Sequence, residues 1–381
     1  MTTRLSPAED TIDRLDAARE GTLALVAGIA DAELERVHST LMSPLVWDLG
    51  HIAAFEDLWL VHRHGGEPMV RRDLAEVYDA FETPRAGRGE LPFLRAPQAR
   101  EYLAEVRART RKATERVGPG DGVRHELVLR HELQHAETML QTIGLARLEG
   151  CARLEPDRPA PGSDGLDLVD VPGGEASIGA GEAGFAYDNE RPRHRVRLRP
   201  FRIGRAPVTN ATWLGFAEGG GYRRREWWTD EAWHWKEQYD ITHPLHWSGD
   251  GREWRAGRWE PLRPDRPVVH VSWFEADAFA RAHGARLPTE AEWERAATWD
   301  QGTGPTTGRV WEWTASEFSG YPGFAAFPYR EYSEVFFDSG YRVLRGGSWA
   351  SSPRVATATF RNWDLPQRRQ IFAGVRIARD A

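Results

Sequence analysis

Through the first 148 residues apolar positions recur at three- and four-residue intervals, the spacing that lines one face of a helix. Ser6-Pro7-Ala8-Glu9 combines an N-cap, a proline at the first helical position and a glutamate two residues on. Leu15, Leu23, Val26 and Ile29 continue the pattern. Ser43-Pro44 opens a second helix carrying Leu45, Leu49, Ile52, Phe55 and Leu58, a third is expected from about Ala96 to Val117, and a fourth contains LRHELQHAETML, residues 129–140. Four such helices predict an antiparallel bundle, a fold that builds metal sites from facing helices. Between the second and third, residues 78–92 (YDAFETPRAGRGELP) are too rich in Gly, Pro and Arg for regular structure, and a long irregular loop in a compact domain is often functional.

The texture changes after residue 150. Residues 151–167 read as a linker dominated by proline, glycine and charge. From 168 to 381 short β-type runs (169–171, 176–178 and 194–198) alternate with GG, PG and DG turns, with two helix-like pieces at 210–218 and 273–283. The expected organisation is α+β: a helical domain over 1–150, the linker, and a mixed, loop-rich domain over 168–381. Fifteen of the 17 tryptophans lie beyond residue 210, where they would fill the irregular space between loops.

Composition narrows the function. Fifty basic residues against 57 acidic ones give a net charge of −7, without the basic excess that draws proteins to nucleic acid. The lone Cys151 excludes a disulfide within the chain and fits a reducing cytoplasm. No apolar run approaches the roughly 20 residues of a membrane span, and the first residues lack a signal-peptide core. A cytoplasmic monomer without membrane or nucleic-acid partners is expected.

The candidate chemistry begins at His131 and His135, four residues apart, which a helix points off one face. Gln134 stands between them in sequence, and its amide can face the same cavity; Glu137 points further round. Two imidazoles cannot fix a metal alone, so a third ligand must come from elsewhere.

Four words in the second domain, RLPTEAEWERAA, VWEWTASEF, RVLRGGSW and GVRIARD, together resemble the formylglycine-generating-enzyme-like domain, a C-type-lectin-related fold. His51 together with His131, His135 and Glu137 resembles the DinB-type metal-binding four-helix bundle. Fused in this order, the halves resemble the sulfoxide synthases of ergothioneine biosynthesis. Formylglycine-generating enzymes use active-site cysteines within this domain; Cys151 precedes it, so that chemistry is not expected here.

The resemblance implies an Fe(II) ion held by His51, His131 and His135, with O₂ as co-substrate. Three imidazoles leave positions open for O₂ and substrate, although the same ligands could also hold zinc. It implies that sulfur is joined to C2 of the imidazole of hercynine, and that Gln134, Tyr332, Asn362 and Trp363 hold this substrate. Aromatic faces suit its quaternary ammonium, and neutral amides its carboxylate and ring nitrogen. Tyr329 matches the catalytic tyrosine, a phenol that is neutral at pH 7 and can donate a proton. Asp364 and Arg368, with Arg85 and Arg88 in the 78–92 loop, match the branch that takes γ-glutamylcysteine rather than cysteine. An aspartate can pair with an ammonium and arginines fork onto carboxylates. If both sets converge, the active site lies between the domains. The alternatives are surface pairing of Asp364 with Arg368, a selenoneine synthase taking a selenosugar, a DinB-like thiol transferase that needs no O₂, and a non-catalytic module. One departure stands out: between RAATWD and VWEWT only QGTGPTTGR remains, where the family carries a longer loop with a YPWG-like word.

Overall fold

The computed structural model describes residues 7–151, 164–255, 257–299 and 305–381. Ser6, most of the expected linker and the first half of the shortened loop lie outside the described residues. The chain divides into two compact units, Met1–Leu154 and Glu155–Ala381.

The first unit is built from α1 (Pro7–Val26), a single turn α2 (Asp31–Leu34), α3 (Leu45–Glu56), α4 (Ala96–Val117) and α5 (Val123–Ala146). α1 and α3 each pack against both α4 and α5. Every residue of α3 except Phe55 is buried, as expected of a helix that is apolar nearly all round. It continues into a π-helical stretch, Asp57–His62, where the Arg63 N–H reaches back five residues to the Leu58 carbonyl at 2.9 Å. Such stretches are rare and recur near functional sites.

The bundle core is not wholly apolar. Arg19 of α1 pairs with Glu56 of α3 and Glu132 of α5, each at 2.8 Å, and Arg107 of α4 pairs with Glu56, also at 2.8 Å. One charge from each long helix thus meets in a dry interior. Burial pushes the Glu56 carboxyl up, but Arg107 and Arg19 outweigh it and hold it at about 2. The cluster fixes the helices' rotation, because a one-residue slip would bury an unpaired charge.

The second unit carries three antiparallel groups and one mixed sheet. β1 (Leu168–Val171), β4 (Phe201–Gly204) and β11 (Ala378–Asp380) form an antiparallel sheet in the order β1-β4-β11. β2 (Gly174–Ile178) pairs with β3 (His194–Leu198), and β5 (Arg252–Arg255) with β6 (Arg258–Pro261). The fourth group runs β10 (Ala373–Gly374), β7 (Trp311–Glu317), β8 (Arg342–Arg345), β9 (Asn362–Asp364), parallel only between β10 and β7.

Where two helices were expected, the described residues hold four: α6 (Asn210–Glu218), α7 (Asp230–Gln238), α8 (Trp273–Ala282) and α9 (Glu290–Thr298). The two additional helices are short, nine residues each, and largely polar, and both are capped by threonine. Thr229 accepts the Ala232 N–H, and Thr289 and Glu292 form a reciprocal capping box.

Buried arginine–glutamate pairs tie the four sequence words to one another and to Arg361. Arg345 of β8 pairs with Glu294 of α9; Arg376, just before β11, grips Glu312 of β7 at 2.6 and 2.7 Å; and Arg361 grips Glu290 of α9 at 2.8 and 2.9 Å. Trp293 adds an indole N–H to Glu312 at 2.5 Å.

Candidate functional site

In the first unit His51 of α3 meets His131 and His135, one turn apart on α5. A ring nitrogen from each lies within 4.8 Å of the others. The His51 and His131 Nε2 atoms are 3.0 Å apart. The far side of two rings is already bonded: His51 Nδ1 to the Tyr78 carbonyl at 2.7 Å and His135 Nδ1 to Asp48 Oδ1 at 3.1 Å. A carbonyl or carboxylate accepts only from a protonated nitrogen, so in the neutral rings Nε2 presents its lone pair inward. Burial holds His51 and His131 well below the usual histidine range, with His135 adding to both, which keeps them in the neutral, ligating form. With His51 and His135 turning ring lone pairs towards His131, the three imidazoles make a donor set that fits a metal ion.

The rings are also held in plane. Trp47 stacks on His51 at 4.9 Å and 12°, and Phe55 on His131 at 3.7 Å and 6°. Tyr78 reaches His51 because residue 50 is glycine: a Cβ there would stand 2.1 Å from the Tyr78 ring. The Tyr78 hydroxyl accepts the Leu94 N–H at 2.9 Å, tying down the irregular stretch. That stretch is more ordered than its composition suggests, with a 3₁₀ helix at Arg85–Glu90. Arg88 turns inward beneath it. Its guanidinium lies 3.7 Å over Trp47 and donates to Ser43 Oγ at 2.7 Å, the Thr83 carbonyl at 2.8 Å and the Ala80 carbonyl at 3.0 Å. Arg85, by contrast, is exposed. Gln134 is half-buried and donates to the Arg130 carbonyl at 3.3 Å, while Glu137 is buried.

In the second unit Tyr329, Tyr332 and Trp363 come together. Tyr332 stands edge-on to Trp363 at 5.8 Å and 88°, and to Tyr329 at 6.2 Å and 86°. Tyr187 stacks on Tyr332 at 4.2 Å, and Phe318 on Trp363 at 4.2 Å, so both rings are backed. Strand alternation on β9 places Asn362 and Asp364 on the face opposite Trp363. Asp364 accepts the Leu365 N–H at 2.8 Å and the Gln370 amide at 3.0 Å; Arg368 approaches it only to 3.7 Å.

Comparison with known proteins bears on both units. Residues 14–139 match the DinB superfamily, and residues 157–304 and 300–381 match the sulfatase-modifying factor enzyme 1-like domain. Hercynine oxygenase of Mycolicibacterium thermoresistibile is 43% identical, covering 95% of this chain and 93% of the relative. That of Mycolicibacterium smegmatis is 42% identical over 98% of this chain and 99% of the relative, and that of Mycobacterium tuberculosis 41% over 99% and 100%. The chain belongs to the hercynine oxygenase family. Its architecture is α+β, a DinB domain followed by a sulfatase-modifying-factor-like domain. Among the described residues no helix is long and apolar enough to cross a membrane.

Sequence reasoning missed the residues that back the candidate groups: Asp48 and Tyr78 behind the histidines, and Tyr187 and Phe318 behind the aromatic pair. Two signals pointed to the first pair. Asp48 lies one turn before His51, and a glycine within a helix marks close approach of another group.

Proposed function

We propose that this chain is an Fe(II)- and O₂-dependent sulfoxide synthase that joins the sulfur of γ-glutamylcysteine to C2 of the hercynine imidazole. The observation that carries the reading is the convergence of three inward-facing imidazoles in a chain of this family. The reaction balances with one O₂. One oxygen atom ends on sulfur, and the other leaves as water with the thiol proton and the C2 hydrogen.

His51, His131 and His135 would hold the metal, which when bound supplies open positions where O₂ and the thiolate meet. Asp48 and the Tyr78 carbonyl keep the ligand rings in one tautomer. Tyr332 and Trp363 offer perpendicular faces to the trimethylammonium group of hercynine, and Gln134 a polar partner; Asn362, expected beside Trp363 in that role, lies on the opposite face of the strand. Tyr329 donates a proton to oxygen as it is reduced, which draws the oxidation towards C–S bond formation. Arg85 and Arg368 would bind the carboxylates of the thiol substrate and Asp364 its ammonium, while Arg88, stacked on Trp47, shapes the loop that presents Arg85.

Anaerobic loading with Fe(II), followed by O₂, hercynine and either thiol, tests the reading. Expected are one O₂ consumed per sulfoxide and a higher kcat/KM for γ-glutamylcysteine. Preference for cysteine removes the assignment of the thiol, and turnover without O₂ removes the reaction. Tyr329→Phe should keep iron and hercynine binding while product shifts from the sulfoxide to the thiol sulfinate.

A further inference from the structure

The segment that carries Tyr329 and Tyr332 is held at both ends by one carboxylate. Asp188 Oδ2 accepts the backbone N–H of Phe327 at 3.3 Å, and Oδ1 accepts the Ser333 hydroxyl and the Asn189 N–H. The Ser333 oxygen in turn accepts the Asn189 amide at 3.1 Å. Phe327 and Ser333 bracket both tyrosines, and within the bracket Tyr332 stacks on Tyr187, the residue preceding the carboxylate.

The base of this clamp is rigid. Asp188, Asn189 and Glu190 form a buried 3₁₀ turn with exposures of 2%, 1% and 1%. Glu190 accepts the Tyr187 N–H at 2.9 Å and the Thr359 hydroxyl at 2.6 Å. Arg361, itself paired with Glu290, donates to the Asn189 carbonyl at 2.7 Å. The donors to Asp188 itself are all neutral, an expensive way to bury a carboxylate. Burial accordingly pushes its pKa up to about 6. A residue serving packing alone would be cheaper as an apolar side chain. A carboxylate, however, offers an acceptor to each end of the segment at once.

We infer that Asp188 and Ser333 are positioning residues for Tyr329, fixing where its phenol stands by clamping both ends of residues 327–333. This rests on the reading of Tyr329 as the proton donor. A phenol displaced by an ångström no longer competes well with uncoupled thiol oxidation, and such misplacement costs up to about a hundredfold.

The test uses the iron-loaded full chain with hercynine and γ-glutamylcysteine, reading the ratio of sulfoxide to sulfinate beside amide exchange of residues 327–333. Ser333→Ala is expected to lower the ratio roughly tenfold or more. It should also speed exchange in the segment and leave iron content unchanged; Ser333→Thr, which keeps the hydroxyl, restores the ratio. Asp188→Asn should act in the same direction, and Ser333→Ala keeps the test open if that variant does not fold. If Tyr329→Phe shifts the ratio but Ser333→Ala leaves it at the wild-type value, whatever the exchange rates do, the inference is overturned and the Tyr329 reading stands. An unchanged ratio in Tyr329→Phe overturns both.

Discussion

The two units hold their candidate residues by opposite means. In the bundle, three imidazoles project from two straight helices, and one charge cluster sets the rotation of all four long helices from within. In the second unit, the tyrosines sit on an irregular segment between strands, and buried side chains elsewhere in the chain hold that segment in place. A helix positions a side chain through its own backbone period, whereas a loop needs an external anchor for each end. The first arrangement concentrates its vulnerability in three imidazoles and a core cluster; the second spreads it among anchors outside the segment they hold.

The contrast can be broken at its strongest point first. His131→Ala should abolish metal binding and turnover while the bundle stays folded, checked by metal content and circular dichroism. Retained stoichiometric iron would mean that the helix-borne triad is not the site. Next, Glu56→Ala removes the buried carboxylate that Arg19 and Arg107 share, leaving Glu132 and Asp16 to hold both guanidiniums, and unfolding in urea should show a loss of about 3 kcal/mol. Glu294→Ala, which leaves Arg345 only Glu290 at 3.5 Å and the Ala358 carbonyl, should cost a similar amount if buried charge rather than helical context governs the penalty. A much smaller loss in one unit would sharpen the comparison to the helices themselves.

The smallest expected effect is in pH, where the two units respond with opposite sign. Burial, with His64 nearby, lowers His125 in the bundle to about 4 from 6.5. Its contribution to stability is therefore complete above about 6.5 and is lost as pH falls towards 4. Asp188 is raised by burial from 3.8 to about 6, so its contribution is present below about 3.8 and lost as pH rises through 6. Urea midpoints between pH 4 and 7 should show less acid loss in His125→Gln, whereas Asp188→Asn should lose the opposing slope. Parallel profiles for both variants would remove the difference between the units.

Much of the bundle was legible because its information is periodic. The third helix runs from Ala96 to Val117 as its spacing predicts, and the i, i+4 pair His131 and His135 shares one face. α7 and α9 were harder to read, since their signal lies in single capping threonines rather than in an apolar stripe. In the second unit the recognisable words carried the family, and the buried Arg345–Glu294 and Arg376–Glu312 pairs, each joining two of those words, give them a physical basis.

The sequence by itself determined the helical period, the spacing of the two histidines on α5 and the division into a helical and a mixed half, because each follows from local backbone geometry. Family resemblance already joined His51 to that pair, but only the tertiary structure decided that Asp48 and Tyr78 set the direction of the imidazole nitrogens, that Arg88 turns inward and that Asp188 holds both ends of the tyrosine segment. These pairings join residues between 5 and 145 positions apart. Which partner a buried polar group finds at such separations depends on how whole elements pack, and no local pattern along the chain encodes it.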